Sequence, residues 1–355
     1  VASEGRNQSS IKGVSVKVLV TGAAGFIGSN LVHLLARERP SWKITALDLL
    51  TYAGNLSNLK PVLGSGSQVS FQKSDISNRD EISALFAREK FDMVFHLAAE
   101  SHVDRSIMSS LEFVHTNVLG TQVLLDAARQ SEVKRFVHIS TDEVYGSLGP
   151  TGAFVETTPL DPTSPYAASK AASDLMVLAA HKTHGLNACV TRCTNNFGPY
   201  HFPEKLIPLF ITNAMEGKKL PLYGDGMNVR SWLYVADHCE ALLLVGEKGR
   251  AGEVYNIGGG SDAELRNRDV TFAILDILGK SHDLIQPVGD RPAHDRRYAI
   301  DHSKITSELG WKPKTPFKGG LESTIEWYQS NRAWWEEIKS GAYMSYYEKN
   351  YANRG

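Results

Sequence analysis

Tyr166 and Lys170 stand four residues apart near the start of a stretch that reads as helix over 165–184. That spacing puts both side chains on one helix face. An ammonium beside a phenol favours the phenolate. The expected chemistry is therefore removal of a hydroxyl proton while hydride leaves the same carbon. Such a pair occurs on many helices and gains meaning only from its surroundings. Upstream, Ser140 and Thr141 close an apolar run, and two adjacent acids, Asp142 and Glu143, follow at once. In a continuing strand these neighbours would point to opposite faces. The chain must therefore turn after Thr141 if both acids are to reach one substrate. Paired acids suit elimination of water, with one removing the proton α to a transient ketone and the other protonating the leaving hydroxyl.

The partner for hydride chemistry is written earlier in the chain. The run 16–21 leads directly into Gly22-Ala23-Ala24-Gly25-Phe26-Ile27-Gly28. Between a strand and a helix this is the setting of a dinucleotide fingerprint. Gly22 allows the tight turn, Gly25 lets backbone approach a pyrophosphate, and Gly28 lets the helix pack on the sheet. The helix N-terminus supplies unpaired N–H groups for the phosphates. Asp48 falls about twenty residues after Gly28, where a carboxylate accepts both ribose hydroxyls and repels a 2′-phosphate. No arginine follows it at Leu49 and Leu50, so the reading is NAD rather than NADP. Asp75-Ile76 suits a clamp on the adenine edge, and the small residues of Leu97-Ala98-Ala99 let backbone lie against the cofactor.

The elements that must position these groups alternate. Strands are expected at 16–21, 43–48, 69–73, 91–97, 135–140 and 188–193, and helices at 26–39, 81–90, 117–130 and 165–184. Such alternation with short links predicts an α/β, Rossmann-type doubly wound parallel sheet covered on both faces. Residues 1–15, rich in Ser and Gly and lacking a period, read as a disordered tail. Residues 16–197 read as the NAD-binding domain, with returning segments near 234–260. After about residue 197 Pro and Gly become frequent, so 198–355 read as mainly a smaller second lobe. Its C-terminal aromatic stretch, with Trp311, Trp327, Trp334 and Trp335, is expected to be helical and to pack on that lobe.

The Gly-rich turn together with Tyr166 and Lys170 resembles the extended short-chain dehydrogenase/reductase family, whose members mostly modify nucleotide sugars. The segments 100–106, 140–146, 164–172, 191–200, 202–209, 220–235 and 290–301 resemble its dTDP-glucose 4,6-dehydratase branch. The resemblance implies a redox-neutral cycle on dTDP-glucose. Tyr166, helped by Lys170 and Thr141, would oxidise C4 with NAD+. Glu143 would remove the C5 proton, Asp142 would protonate the C6 hydroxyl, and hydride would return to C6. It also implies cofactor contacts from Phe26, Ile27, Leu49, Thr51, Ser101, Thr116 and Asn196, besides the residues above and Tyr166 and Lys170. For the substrate it implies Ser101, Thr141 and Asn195 by the hexose, and Glu204, Lys205 and Leu206 near sugar and pyrophosphate. Pro221 and Tyr223 would lie near the base, while Arg230, Asn267 and Arg297 would hold phosphates or nucleoside, with His294 close by. Arginine suits a diphosphate because its contacts are bidentate. The loop 260–266 departs from the family pattern by its length.

Composition excludes several other classes. Lys+Arg is 38 against Asp+Glu 39, so there is no basic field for nucleic acid. The longest apolar runs are too short to span a bilayer. Residues 1–15 lack the apolar stretch of a signal peptide, and 3 cysteines suit a reducing compartment. A cytoplasmic enzyme is expected. His181 and His184 share a helix face without a third ligand, so no metal is expected. A homodimer through 117–130 (Val118, Val123, Leu124, Leu125) and 165–184 (Leu175, Met176, Leu178) is expected. Alternatives are a UDP-glucose 4,6-dehydratase, a sugar-nucleotide epimerase on the same fold, and a silent NAD-binding regulator. The acid pair argues against the epimerase, and retention of Tyr166 and Lys170 beside it argues against the regulator. It does not separate dTDP from UDP.

Overall fold

Successive side chains of a strand point to opposite faces, and the structure, a computed structural model describing residues 15–290 and 295–340, buries both faces of the central strands. Val18 and Val20 of strand β1 (Lys17–Thr21) enter one apolar cluster, whereas Leu19 enters the opposite one. Val137 and Phe136 of β5 (Arg135–Thr141) divide in the same way. The other strands of this sheet are β2 (Lys43–Asp48), β3 (Val69–Lys73), β4 (Met93–His96), β6 (Ala188–Cys193) and β10 (Val254–Ile257). All seven run parallel, in the order β3-β2-β1-β4-β5-β6-β10. The order reverses between β1 and β4, and ligands of such sheets bind where the carboxyl ends part at that switch point.

The helix Phe26–Glu38 follows β1 and shares its cluster with Leu242 of the helix Val235–Lys248. Pro165–His184 covers the other face through Val177. Ser164 caps it by accepting from the amide of Ala167, Pro165 occupies its first turn, and Gly185 ends it in the left-handed region at φ 70°.

The helix expected over 117–130 starts sooner and changes type. Leu111–Phe113 leads into a π-helical turn at Val114–Gly120 before regular helix resumes at Thr121–Gln130. The physical reason is lateral. A Cβ on Gly120 would meet Ile76 at 2.6 Å, and Asn117 bonds outward to Glu100 and to Ser169 Oγ at 2.8 Å. The dimer face needs a matching correction. Val123, Leu124 and Leu125 are buried in the sheet's own core. The apolar residues left at the surface are Leu111 (75% exposed), Val114, Leu119 and Leu175.

A second core lies beyond β7 (Asn195–Phe197). There β9 (Val229–Tyr234) pairs with β7 and with β11 (Glu264–Arg266), and β8 (Leu220–Tyr223) pairs with β12 (Ile285–Val288). Helices Leu206–Met215, Asn267–Leu278, Phe317–Ser330 and Arg332–Lys339 enclose it. Trp335 and Tyr328 are fully buried there, and Trp327 and Trp334 pack against them. Trp311 departs from its expected place: it joins the core of the large sheet and donates to the carbonyl of Asp237.

Candidate active site

At the carboxyl ends of β1 and β4 the backbone opens a cavity of about 380 Å³, adjoining a second of about 150 Å³ toward the smaller lobe. Gly22 sits at φ +67°, and a Cβ there would strike the backbone of Ala98 at 2.7 Å. A Cβ on Gly28 would lie 2.0 Å from the carbonyl oxygen of Gly22. Gly25 is different: its added Cβ would meet only that oxygen at 3.3 Å, so the space it preserves belongs to the cavity it lines. Gly25 caps the helix Phe26–Glu38 without a side-chain bond, and the first turn carries no acid. Its leading N–H groups therefore face the cavity as an anion site.

Asp48 is buried and accepts from the amides of Ala24 (2.9 Å) and Leu50 (2.8 Å), which aims its carboxylate along the same cavity. Burial raises its pKa, and the two amides oppose the rise. Glycine cradle, uncapped helix end and buried acid together fit a dinucleotide. The remaining expected cofactor residues, Phe26, Ile27, Leu49, Thr51, Asp75, Ile76, Leu97, Ala98, Ala99, Ser101, Thr116 and Asn196, line this cavity too.

The strand β5 ends at Thr141 and the chain turns at once into a short 3₁₀ segment, Asp142–Tyr145. Thr141 caps that segment by accepting from the amide of Glu143 at 3.3 Å. The turn separates the two acids. Asp142 is buried, and burial with Glu143 beside it pushes its pKa up to about 8. It is therefore a neutral acid at pH 7. Glu143 is half-buried and lines both cavities. Two neighbouring carboxyls thus receive different environments, the general route to an acid and a base.

Tyr166 and Lys170 share the inward face of Pro165–His184 and line the larger cavity with Thr141. The expectation that Lys170 draws the phenol toward phenolate is not met. Burial holds the Tyr166 hydroxyl well above its usual range, Glu143 adds to this, and a hydrogen bond with Thr141 opposes it. Lys170 Nζ instead donates to the carbonyl of Ile139 at 2.8 Å and lies 3.5 Å from His138 Nε2. Burial lowers its own pKa to about 8, and Asp174 partly offsets that.

Of the expected substrate residues, Asn195, Glu204, Lys205 and Leu206 line both cavities, and Pro221, Tyr223, Arg230 and Asn267 line the second. Burial lifts the Glu204 carboxyl to about 7. Arg230 lies over the Tyr298 ring at 4.3 Å. Arg297 is not brought to either cavity. Its guanidinium pairs with Glu264 at 2.7 Å and donates to the carbonyl of Gly152 at 2.8 Å. The expected long loop 260–266 is shorter than its range, because Glu264 already belongs to strand β11, which delivers Asn267 to the start of its helix with little exposure. His294 lies outside the described residues.

Trp232 carried no signal of a site role, yet it lines both cavities with a buried indole N–H that has no partner among the described residues. An aromatic residue in a strand reads as core. Tyr52, whose ring lies beneath the Arg105 guanidinium at 3.7 Å, was findable as an aromatic residue just after the Asp48 turn. Buried oxygens of Ser140, Asp142, Thr194 and Asn195 also lack partners and line the larger cavity. Buried polar groups are normally bonded, and these converge where a polyhydroxylated ligand can satisfy them.

Residues 19–324 match the family model described as GDP-mannose 4,6 dehydratase. A dTDP-glucose 4,6-dehydratase of Streptomyces antibioticus is 54% identical over 329 residues, covering 91% of this chain and 96% of that protein. The chain belongs to the dTDP-glucose 4,6-dehydratase family. The dTDP-glucose 4,6-dehydratase of Streptomyces venezuelae, solved with NAD bound, matches at 50% identity with a TM-score of 0.87, covering 91% of this chain and 100% of that one. A UDP-glucose 4-epimerase of Thermotoga maritima shares the fold at a TM-score of 0.82 but only 29% identity, over 89% of this chain and 100% of that one. The dTDP-glucose 4,6-dehydratase family is thus set apart from the epimerases by sequence and not by architecture.

Proposed function

We propose that this chain dehydrates dTDP-glucose to dTDP-4-keto-6-deoxyglucose with NAD as resident cofactor. The observation that carries the reading is the acid pair: one carboxyl buried and neutral, the other open to both cavities, beside Tyr166. The Gly22–Gly28 turn and Asp48 hold the dinucleotide. Bound there, the dinucleotide would supply the hydride acceptance and return that a redox-neutral conversion between C4 and C6 needs.

The chain's own residues move the protons. Tyr166, oriented by Thr141, takes the proton of the 4-hydroxyl, and Lys170 places a positive charge in the same cavity. Glu143 removes the C5 proton, made acidic by the new ketone. Asp142 protonates the C6 oxygen, which leaves as water. The diphosphate is held toward the smaller lobe by Lys205 and Arg230, with Asn195 and Asn267 bonding sugar and nucleoside. The division into a cofactor domain at 16–197 and a substrate lobe beyond it follows the same split of labour.

We also propose that the enzyme is a cytoplasmic homodimer joined through the exposed apolar residues Leu111, Val114, Leu119 and Leu175. Exposed apolar residues grouped in this way mark interaction surfaces. Light scattering at micromolar concentration should give twice the monomer mass, and a monomer rejects the dimer. The activity itself is tested by separate incubation with dTDP-glucose and UDP-glucose. The expected result is a 4-keto product, detected by alkaline absorbance, with loss of one water by mass, from the dTDP sugar. Absence of that product from dTDP-glucose overturns the reading.

A further inference from the structure

Beneath the reaction site lies a buried polar chain that touches neither cavity. Asp174 stands one helical turn past Lys170 and two past Tyr166, and has no exposed surface. One of its oxygens accepts from Arg192 Nε at 2.8 Å, and the other lies 3.4 Å from His138 Nε2. His138 in turn is beside Lys170 Nζ. Arg192 reaches the other way: its Nη1 donates to the Tyr145 hydroxyl at 2.9 Å, and its guanidinium packs 4.8 Å from that ring. The Tyr145 hydroxyl donates to Asn256 Oδ1 at 2.8 Å, on β10. Tyr145 is the last residue of the 3₁₀ turn that begins with Asp142.

One continuous set of bonds therefore ties the helix carrying Tyr166 and Lys170 to the turn carrying Asp142 and Glu143. An ion pair removed from water gains little net stability for its desolvation cost. The direct bonds from Asp174 through Arg192 to Tyr145 nonetheless favour one arrangement of helix and turn. A four-residue 3₁₀ turn has few bonds of its own to hold its geometry, so its far end needs such an anchor.

We propose that Tyr145, held between Arg192 and Asn256, is a positioning residue for the elimination step: it sets where the acid pair stands relative to the hydride pair. This rests on the dehydratase reading above. Removing the hydroxyl cuts the turn's bonds to Arg192 and Asn256 while the ring stays stacked on Phe154 and the Asp174–Arg192 pair remains. Elimination should slow and the first oxidation should not.

The test is Tyr145→Phe in the full-length enzyme, followed in single turnover with dTDP-glucose by the near-ultraviolet absorbance of bound NADH. The oxidation phase should keep its wild-type rate, and NADH decay should slow roughly tenfold to a hundredfold, the scale of an ångström-sized misplacement. KM for dTDP-glucose should stay the same. Asn256→Ala, which removes the acceptor of the Tyr145 hydroxyl together with a bond to the Phe154 carbonyl, should give the same split with smaller size and serves if the first variant folds poorly. Equal slowing of both phases, or no change in either, overturns the proposal. Wild-type turnover of dTDP-glucose tests the dehydratase reading, and the ratio of phase rates between variant and wild type tests this one.

Discussion

The two pairs of reacting side chains sit on supports of opposite kind. Tyr166 and Lys170 belong to the capped helix Pro165–His184, with both of its ends fixed by local sequence. Asp142 and Glu143 belong to a turn of four residues, started by one threonine cap and anchored at its end by a distant arginine. The helix places a phenol and an ammonium in the same surroundings. The turn gives adjacent carboxyls different surroundings, which is what an acid and a base in one elimination require. A rigid element suits chemistry that two groups do together, and a turn suits chemistry in which two groups do opposite things.

The strongest way to break this comparison is at the helix. Tyr166→Phe should cost about 10²–10⁴-fold in turnover, the usual scale for a lost general base, and no NADH should appear in single turnover. If NADH still forms, the hydride pair has been misassigned.

Substitution at the turn should leave the first step running. Asp142→Asn should let oxidation at C4 proceed and then stall, with bound NADH building up while C6 keeps its oxygen, measured by mass. Glu143→Gln should stall likewise and should also lose exchange of the C5 proton with deuterated solvent. Wild-type turnover in Asp142→Asn would reduce the pair to a polar turn.

A smaller effect sharpens the acid's role. Asp142 must be protonated to act and titrates at about 8, so kcat should fall as pH rises past that value. Lys170, also at about 8, loses its charge over the same range, so the limb should be steeper than a single ionisation gives. A flat profile through that range contradicts both assignments.

The smallest effect runs in the opposite direction. Burial raises the Asp142 carboxyl from an ordinary 3.8 to about 8 in the folded chain. The stability it contributes is full below the unfolded value and is lost as pH rises through the folded one. Asp142→Asn removes that loss. The variant should melt at a higher temperature than wild type near pH ~8, by a margin that shrinks toward pH ~5. Equal melting temperatures at both values would show Asp142 to be solvated.

The same contrast decides what could be read from the chain alone. The large sheet was legible because short apolar-rich runs alternate with helical stretches, and the Gly22–Gly28 turn because its demands are backbone demands met within seven consecutive positions. The need for a turn after Thr141 followed from strand geometry, and the structure has it there. The π-helical turn at Val114–Gly120 was not legible, since it answers Ile76 and Ser169 from other elements. Arg297 shows the limit of residue type. A guanidinium suits a phosphate equally well wherever it stands, and only the fold reveals that Glu264 takes it.

Strand β10 reaches the edge of the large sheet only after the chain has built β7, β8 and β9 elsewhere, yet its register is with β6. Synthesis runs from the N-terminus, so a nascent chain that has emerged only through β6 lacks that strand's outer neighbour, and the β6 edge stays open. Unpaired backbone along such an edge is a template for pairing with another chain. It also leaves Asn256, the last link behind the acid turn, still to come. The catalytic geometry is therefore finished late, by the strand that also covers the β6 edge.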